Sequence, residues 1–382
     1  MPTQKLYYKD CHLQSFSATV TGCREAAGGY AVTLDATAFY PEGGGQACDV
    51  GSLGSVRVLD VQEQDEEVIH LCDGPLVVGQ TVEGKIDYEK RFDLMQQHTG
   101  EHILSGIIHK RLGYHNAGFH VGAQVMEVDF DGIIPGQELA EIELEANRTV
   151  WADLPVRCWY PTPEELPTVQ YRTKRALPWP VRVVEIPGTD ACACCGVHVA
   201  HTGEVGLIKI LSCVKFRQGV RLELVCGQRA LCYVNATWEQ NRQISQLLSA
   251  RMHETAGAVQ KLCDQLAEEK LRTNTMQRQL FERIAAGYAG RGNVVHFEED
   301  ISPAGVRELA QKVAQICGGM AAVFSGEDAA GYSMCLVSKE GDVKELGARL
   351  SAALNGRGGG KPGFFQGSVK ATKAQIEAFF GI

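Results

Sequence analysis

Arg91-Phe92-Asp93-Leu94-Met95-Gln96-Gln97-His98-Thr99-Gly100-Glu101-His102-Ile103 is the stretch on which the reading of this 382-residue chain turns. Phe92, Met95, Ile103, Ile107 and Leu112 recur at spacings that place them on one buried face of a helix, and Gly113 supplies its stop. Positions four apart on a helix lie one turn apart on one face. The imidazoles of His98 and His102 can therefore reach a common ion. On this reading Glu101 points away from the face that the two histidines share.

A second cluster, Cys194-Cys195-Gly196-Val197-His198, repeats the four-residue interval between Cys194 and His198, and Gly196 lets the chain turn tightly around an ion. Three imidazoles and a thiolate make a nitrogen and sulfur set suited to Zn2+. Cys192 and Cys195 are alternative thiolate donors. A catalytic zinc keeps a position for water, so one loose protein ligand would let the ion lower the pKa of water to about 7 and polarise an ester carbonyl. Among the other histidines, His120 is a candidate pocket residue, whereas His109 reads as an ordinary surface or core residue.

Working outward, residues 1–90 carry short, glycine-punctuated strand patterns at 17–21, 29–34 and 56–61, which suggest a small β-barrel or sandwich. Residues 91–235 mix helix and strand, with a helix over 138–151 and a strand over 205–210. Residues 236–290 have almost no breakers before a glycine-rich joint. Ile244, Leu248, Val259, Leu262 and Leu266 begin an apolar stripe there, which predicts a long helix or helical hairpin. Residues 291–382 alternate strand and helix as a small α/β domain. The expected class is thus α+β multidomain.

The net charge of −9 excludes a protein coated in positive charge for non-specific nucleic-acid binding, and it leaves local patches open. There is no run of about 18 apolar residues, so no transmembrane helix or membrane partner is expected. The start is polar rather than signal-like, which points to the cytoplasm, where the 14 cysteines would be mostly reduced.

Thr37-Ala38-Phe39-Tyr40-Pro41-Glu42-Gly43-Gly44-Gly45-Gln46, with Asp49 and Gly51, resembles the glycine-rich motif of AlaX-type alanyl-tRNA editing proteins. Arg91, Met95, His98-Thr99 and His102 resemble that family's first metal motif. Residues 193–199 and Thr202-Gly203-Glu204-Val205-Gly206 are similar to its second. Gly356, Gly358-Gly359-Gly360-Lys361-Pro362 and Gln366-Gly367 look like the signature of the DHHA1 domain, which alanyl-tRNA synthetase also carries. The second motif departs from the synthetase at Cys195 and Val197, and the last one departs at Lys361 and Gly363-Phe364-Phe365.

This resemblance to the long form of AlaX implies an N-terminal barrel, a zinc-binding editing domain, a helical arm and a DHHA1-like domain. It implies hydrolysis in trans of Ser-tRNA(Ala), with Gly-tRNA(Ala) as a second substrate. His98, His102, Cys194 and His198 would hold zinc. Thr37 would offer its hydroxyl to the serine side chain, and Gly43, Gly44, Gly45 and Gln46 would belong to the pocket for the aminoacyl adenosine. Arg357, Gly359, Lys361 and Lys370 are candidate RNA contacts, and the arm or the C-terminal domain is a candidate homodimer interface. Two rivals are a zinc peptidase, since His98-x-x-Glu101-His102 is an inverted peptidase pattern, and a non-catalytic RNA-binding protein with a structural zinc.

Overall fold

A two-residue period governs the N-terminal strands. After the short β1 (Gln4–Lys5), β2 (Ser15–Ala26) buries Phe16, Ala18 and Val20 and exposes Ser15, Ser17 and Thr21. β3 (Gly29–Leu34) follows, and β4 (Ala36–Thr37) pairs in parallel with β1 so that Thr37 lies opposite Lys5. With β5 (Gly51–Leu53), β6 (Val56–Gln64), β7 (Glu67–Cys72) and β8 (Thr81–Ile86), strands β2 and β3 close into a barrel in the order β2-β3-β7-β6-β5-β8. Its interior is aliphatic, built on Val32, Leu34, Leu53, Val58, Val61 and Val68. The computed structural model describes residues 2–173 and 179–382.

A histidine sits inside that barrel. His70 is fully buried, with Nδ1 3.1 Å from the carbonyl of Val32 and Nε2 2.8 Å from the hydroxyl of Thr37. A carbonyl only accepts, so Nδ1 carries the proton and the Thr37 hydroxyl donates to Nε2. Burial pushes the His70 pKa down to about 4, against about 6.5 for a free imidazole. As pH falls through 6.5 the unfolded chain takes a proton at this position, and the folded chain does so only near 4. The stability that neutral His70 contributes above pH 6.5 is therefore lost across that window, in total about 3 kcal/mol. Urea unfolding read by tryptophan fluorescence should show the gap between wild type and His70→Gln shrinking by that amount from pH 7 to pH 4. A gap independent of pH would refute the neutral assignment.

α1 (Tyr88–Leu112) starts at Asp87, whose side chain accepts from the Lys90 N–H, and ends at Gly113, which is left-handed at φ 74°. From Leu94 to Ile108 every residue is buried, on all sides of the helix rather than on one face. The polar residues on it are matched one by one. Gln97 brackets the backbone of Cys226, accepting its N–H at 2.7 Å and donating to its carbonyl at 3.0 Å.

Beyond α1 come β9 (Asn116–Val121), β10 (Met126–Phe130), α2 (Gly136–Trp151), β11 (Arg157–Trp159), β12 (Val183–Ile186), β13 (Asp190–Ala193), β14 (Ile208–Phe216) and β15 (Gly219–Cys226). They form two antiparallel sheets, β14-β15-β10-β9 and β11-β12-β13, which pack with α1 and α2 around one core. The strand expected over 205–210 begins only at Ile208. Thr202–Val205 is a turn of tight helix, and Gly206 leaves it with φ 78°.

α3 (Gly227–Leu247) and α4 (Thr255–Ala286) occupy the breaker-poor stretch as two helices, separated by a turn in which Ser249 takes φ 49°. The apolar stripe of α4 is mostly in solvent. Val259, Leu262, Leu266, Met276 and Leu280 are all exposed, and within α4 only Phe281 and Ala285 are buried. By contacts the chain divides into Met1–Gln243 and Ile244–Ile382. The second unit holds β16 (Gly292–Glu298), α5 (Pro303–Ile316), β17 (Gly318–Glu327), β18 (Gly331–Ser338), α6 (Lys344–Ala353), β19 (Arg357–Lys361), β20 (Phe364–Val369) and α7 (Lys373–Phe380). Its sheet runs β16-β17-β18-β20-β19, with β16 and β17 parallel and the other pairs antiparallel.

Candidate metal centre and its cavity

α1 presents His98 and His102 to the loop that follows β13, and that loop returns Cys194 and His198. The ligand atoms of these four residues all lie within 4.8 Å of one another, as a group able to hold a metal ion. The Cys194 sulfur is 3.4 Å from His98 Nε2 and 3.5 Å from His198 Nε2. Cys192 falls instead beside His102 and Asp190, and Cys195 is exposed next to Gly44. Gly196 is required by contact, because a Cβ there would lie 2.1 Å from the His98 ring.

Each imidazole is held from behind through Nδ1. His98 faces Gln46 Oε1 at 2.9 Å, His102 faces Asp190 Oδ2 at 3.0 Å, and His198 faces the Thr99 hydroxyl at 3.2 Å. This leaves the three Nε2 atoms on the inner side, as a bound cation requires. Arg172 grips Asp190 with two hydrogen bonds, 2.6 and 2.8 Å. Asp190 and Cys192 could otherwise share a second ion with His102, but a guanidinium already supplies the positive charge there. Arg182 fixes the loop itself, donating to the carbonyls of Cys194 and Gly196 at 2.9 and 2.8 Å.

The electrostatics suit a cation. Burial pushes the Cys194 thiol up, yet the three surrounding imidazoles outweigh it and hold the thiol well below its ordinary range. Burial brings His198 down to about 3, a neutral donor. At His102 burial also opposes charge, but Asp190 and Cys194 prevail and raise its pKa well above that of a free imidazole. A metal-free site thus pairs a thiolate with a proton that an incoming ion would displace.

His98, His102 and Cys194 stand in the wall of a cavity of about 1070 Å³ that Gly44 and Phe119 also line. The Gly43-Gly44-Gly45-Gln46 turn closes on itself through paired backbone bonds between Gly43 and Gln46. Gly45 takes φ 81°, and a Cβ on it would strike the Phe119 ring at 2.5 Å. Gln46 is buried behind His98, and its Nε2 has no hydrogen-bond partner among the described residues.

Three expectations change. Thr37 is fully buried and is not a wall of the cavity, because its hydroxyl is committed to His70 and also accepts the Phe39 N–H at 3.1 Å. Glu101 does not point away. It lines the cavity with Oε2 3.9 Å from His102 Nε2, since position 101 is three residues after 98 and shares its face. His109 and His115 also line the cavity, whereas the exposed His120 does not. Sequence reasoning missed the roles of Asp190, Arg172 and Arg182. Only Asp190 carried a signal, a carboxylate four residues ahead of Cys194. A peptidase centre of the HxxEH type takes a third, carboxylate ligand, but a thiol and a third imidazole gather at this pair. In the second unit, Arg357, Gly359 and Lys361 lie on the exposed edge strand β19, and Lys370 is exposed just after β20.

Three family models match the chain. Residues 4–90 match tRNA synthetases class II (A), residues 181–222 the threonyl and alanyl tRNA synthetase second additional domain, and residues 290–380 the DHHA1 domain. Alanyl-tRNA editing protein Aarsd1 of Danio rerio is 30% identical over 97% of this chain and 95% of that protein. Aarsd1-A of Xenopus laevis is 29% identical over 96% of this chain and 92% of its own length. An alanine–tRNA ligase of Thermofilum pendens is 34% identical over 98% of this chain, which spans only 43% of the ligase.

Proposed function

The chain belongs to the family of alanyl-tRNA editing proteins, and from that premise we propose that it is a zinc-dependent deacylase acting on tRNA(Ala) mischarged with serine, with glycine as a second substrate. The observation that supports this reading most is placement: the cluster of three imidazoles and one thiol opens onto a large cavity instead of being sealed in the protein. A zinc that only held the fold of an RNA-binding protein would need no such access.

When bound, zinc would supply Lewis acidity toward the ester carbonyl and the attacking water. The chain's own groups prepare the rest. Gln46, Asp190 and Thr99 fix the three rings, so the site pays no reorganisation when substrate arrives. Glu101 holds one carboxylate oxygen against Ser105 and Asn116 and keeps the other toward the cavity, and we assign to it the proton of the attacking water. Water adds to the acyl carbon, the bond to the ribose oxygen breaks, and that oxygen leaves with a proton, giving free serine and tRNA(Ala). The exposed stripe of α4 suits a second copy of the chain, and Arg357, Gly359, Lys361 and Lys370 suit RNA phosphates.

Purified protein should release serine from Ser-tRNA(Ala) and leave Ala-tRNA(Ala) essentially intact, and a chelator should abolish the reaction until zinc is restored. Equal hydrolysis of both esters, or of neither, would refute the proposal. Asp190→Asn should weaken zinc binding about 10- to 100-fold, as measured by competition with a chromophoric chelator. Unchanged affinity would remove Asp190 from its orienting role.

A further inference from the structure

The cavity does not end at the metal cluster. His98, His102, Gly106, His109 and Lys110 of α1 all line it, and at 1.5 Å per residue the interval from 98 to 110 covers about 18 Å. Stacked nucleotides advance about 3.4 Å along a strand, so this length outruns one aminoacylated nucleoside.

The far end has a definite chemistry. The rings of His109 and His115 stand 5.0 Å apart between centroids, inclined at 56°. Both are held. His109 Nδ1 lies 3.1 Å from the Tyr114 carbonyl, and the Asp131 carboxylate takes the His115 backbone N–H at 2.8 Å and its Nδ1 at 3.2 Å. Tyr171 and Lys110 line the same cavity. Flat rings beside a lysine, leading away from an ester-cleaving centre, are what an unpaired RNA strand uses, because every base offers a face for stacking. In a chain of net charge −9 such a patch has to be local.

We propose that this half of the cavity is a track for the unpaired nucleotides that precede the aminoacylated one, with His109 and His115 as the stacking platform for their bases. The proposal rests on the editing reading above and adds to it the route of the RNA. None of these residues belongs to the metal cluster or its supports.

The test compares two substrates with the full-length protein, Ser-tRNA(Ala) and 3′-O-seryl-adenosine, which lacks the preceding nucleotides. The double variant His109→Ala/His115→Ala should raise KM for Ser-tRNA(Ala) about tenfold or more with kcat kept, and its kcat/KM on seryl-adenosine should equal that of wild type. Activity on the small ester also shows that the variant is folded. His109→Phe/His115→Phe, which keeps flat rings, should recover most of the loss. Equal losses on both substrates, or no loss on either, would overturn the track and leave the editing reading standing. Failure of the wild-type protein on both esters would overturn that reading and the track with it.

Discussion

Cys194→Ala is expected to leave deacylation of Ser-tRNA(Ala) at about a thousandth of the wild-type rate or less and to abolish stoichiometric zinc binding. The sulfur is the only anionic member of the cluster, and its neighbours hold it as thiolate against the cost of burial. Without it three imidazoles remain, and the Lewis acid that contributes several kcal/mol at the transition state is lost. At about 1.4 kcal/mol per tenfold, some 4 kcal/mol gives that thousandfold loss. Cys195→Ala is the control, since this thiol is exposed and outside the cluster, and it should keep both metal and rate. Single-turnover kinetics with metal analysis on the same samples decides the matter. Full activity in Cys194→Ala would remove the metal from the chemistry. Lost metal with an unchanged rate would make the ion structural only.

Much of this was legible in the sequence because it is local. The interval from His98 to His102 depends only on helical geometry, and β3 follows from a run whose pattern lies within a few residues. The choice of Cys194 over Cys192 and Cys195 was not local. Arg182, just ahead of β12, grips two carbonyls of that loop, and nothing in the spacing of three cysteines encodes that. α1 misled for a similar reason. Its apolar residues suggested one buried face, but Gln97, Thr99 and Glu101 are buried too, each paired with a distant partner that polarity alone does not announce. Thr37 shares its hydroxyl with His70, 33 residues away, a partner that no local pattern announces.

The buried pair Arg91–Asp49 should make Arg91→Ala one of the most destabilising single changes available, at about 4 kcal/mol. Both side chains are fully excluded from water. Asp49 receives Arg91 Nε at 2.8 Å and also Nη2, and it takes the Tyr40 N–H as well. Arg91 in turn donates to the carbonyl of Ala38 at 2.6 Å. One guanidinium therefore ties α1 to both ends of the glycine turn that carries Gln46. Removing it strands a carboxylate where no water reaches, which is why the cost exceeds that of the lost contacts. Lysine should not rescue, since one ammonium cannot serve two directions in a plane. The double variant Arg91→Met/Asp49→Leu should unfold at higher urea than Arg91→Ala alone, because no charge is left unpaired. Trp151, Trp159, Trp179 and Trp238 all fall within Met1–Gln243, so tryptophan fluorescence reports on the right unit. If Arg91→Ala and wild type unfold at the same urea concentration, Asp49 has found water or a proton, and the glycine turn is held by its backbone bonds alone.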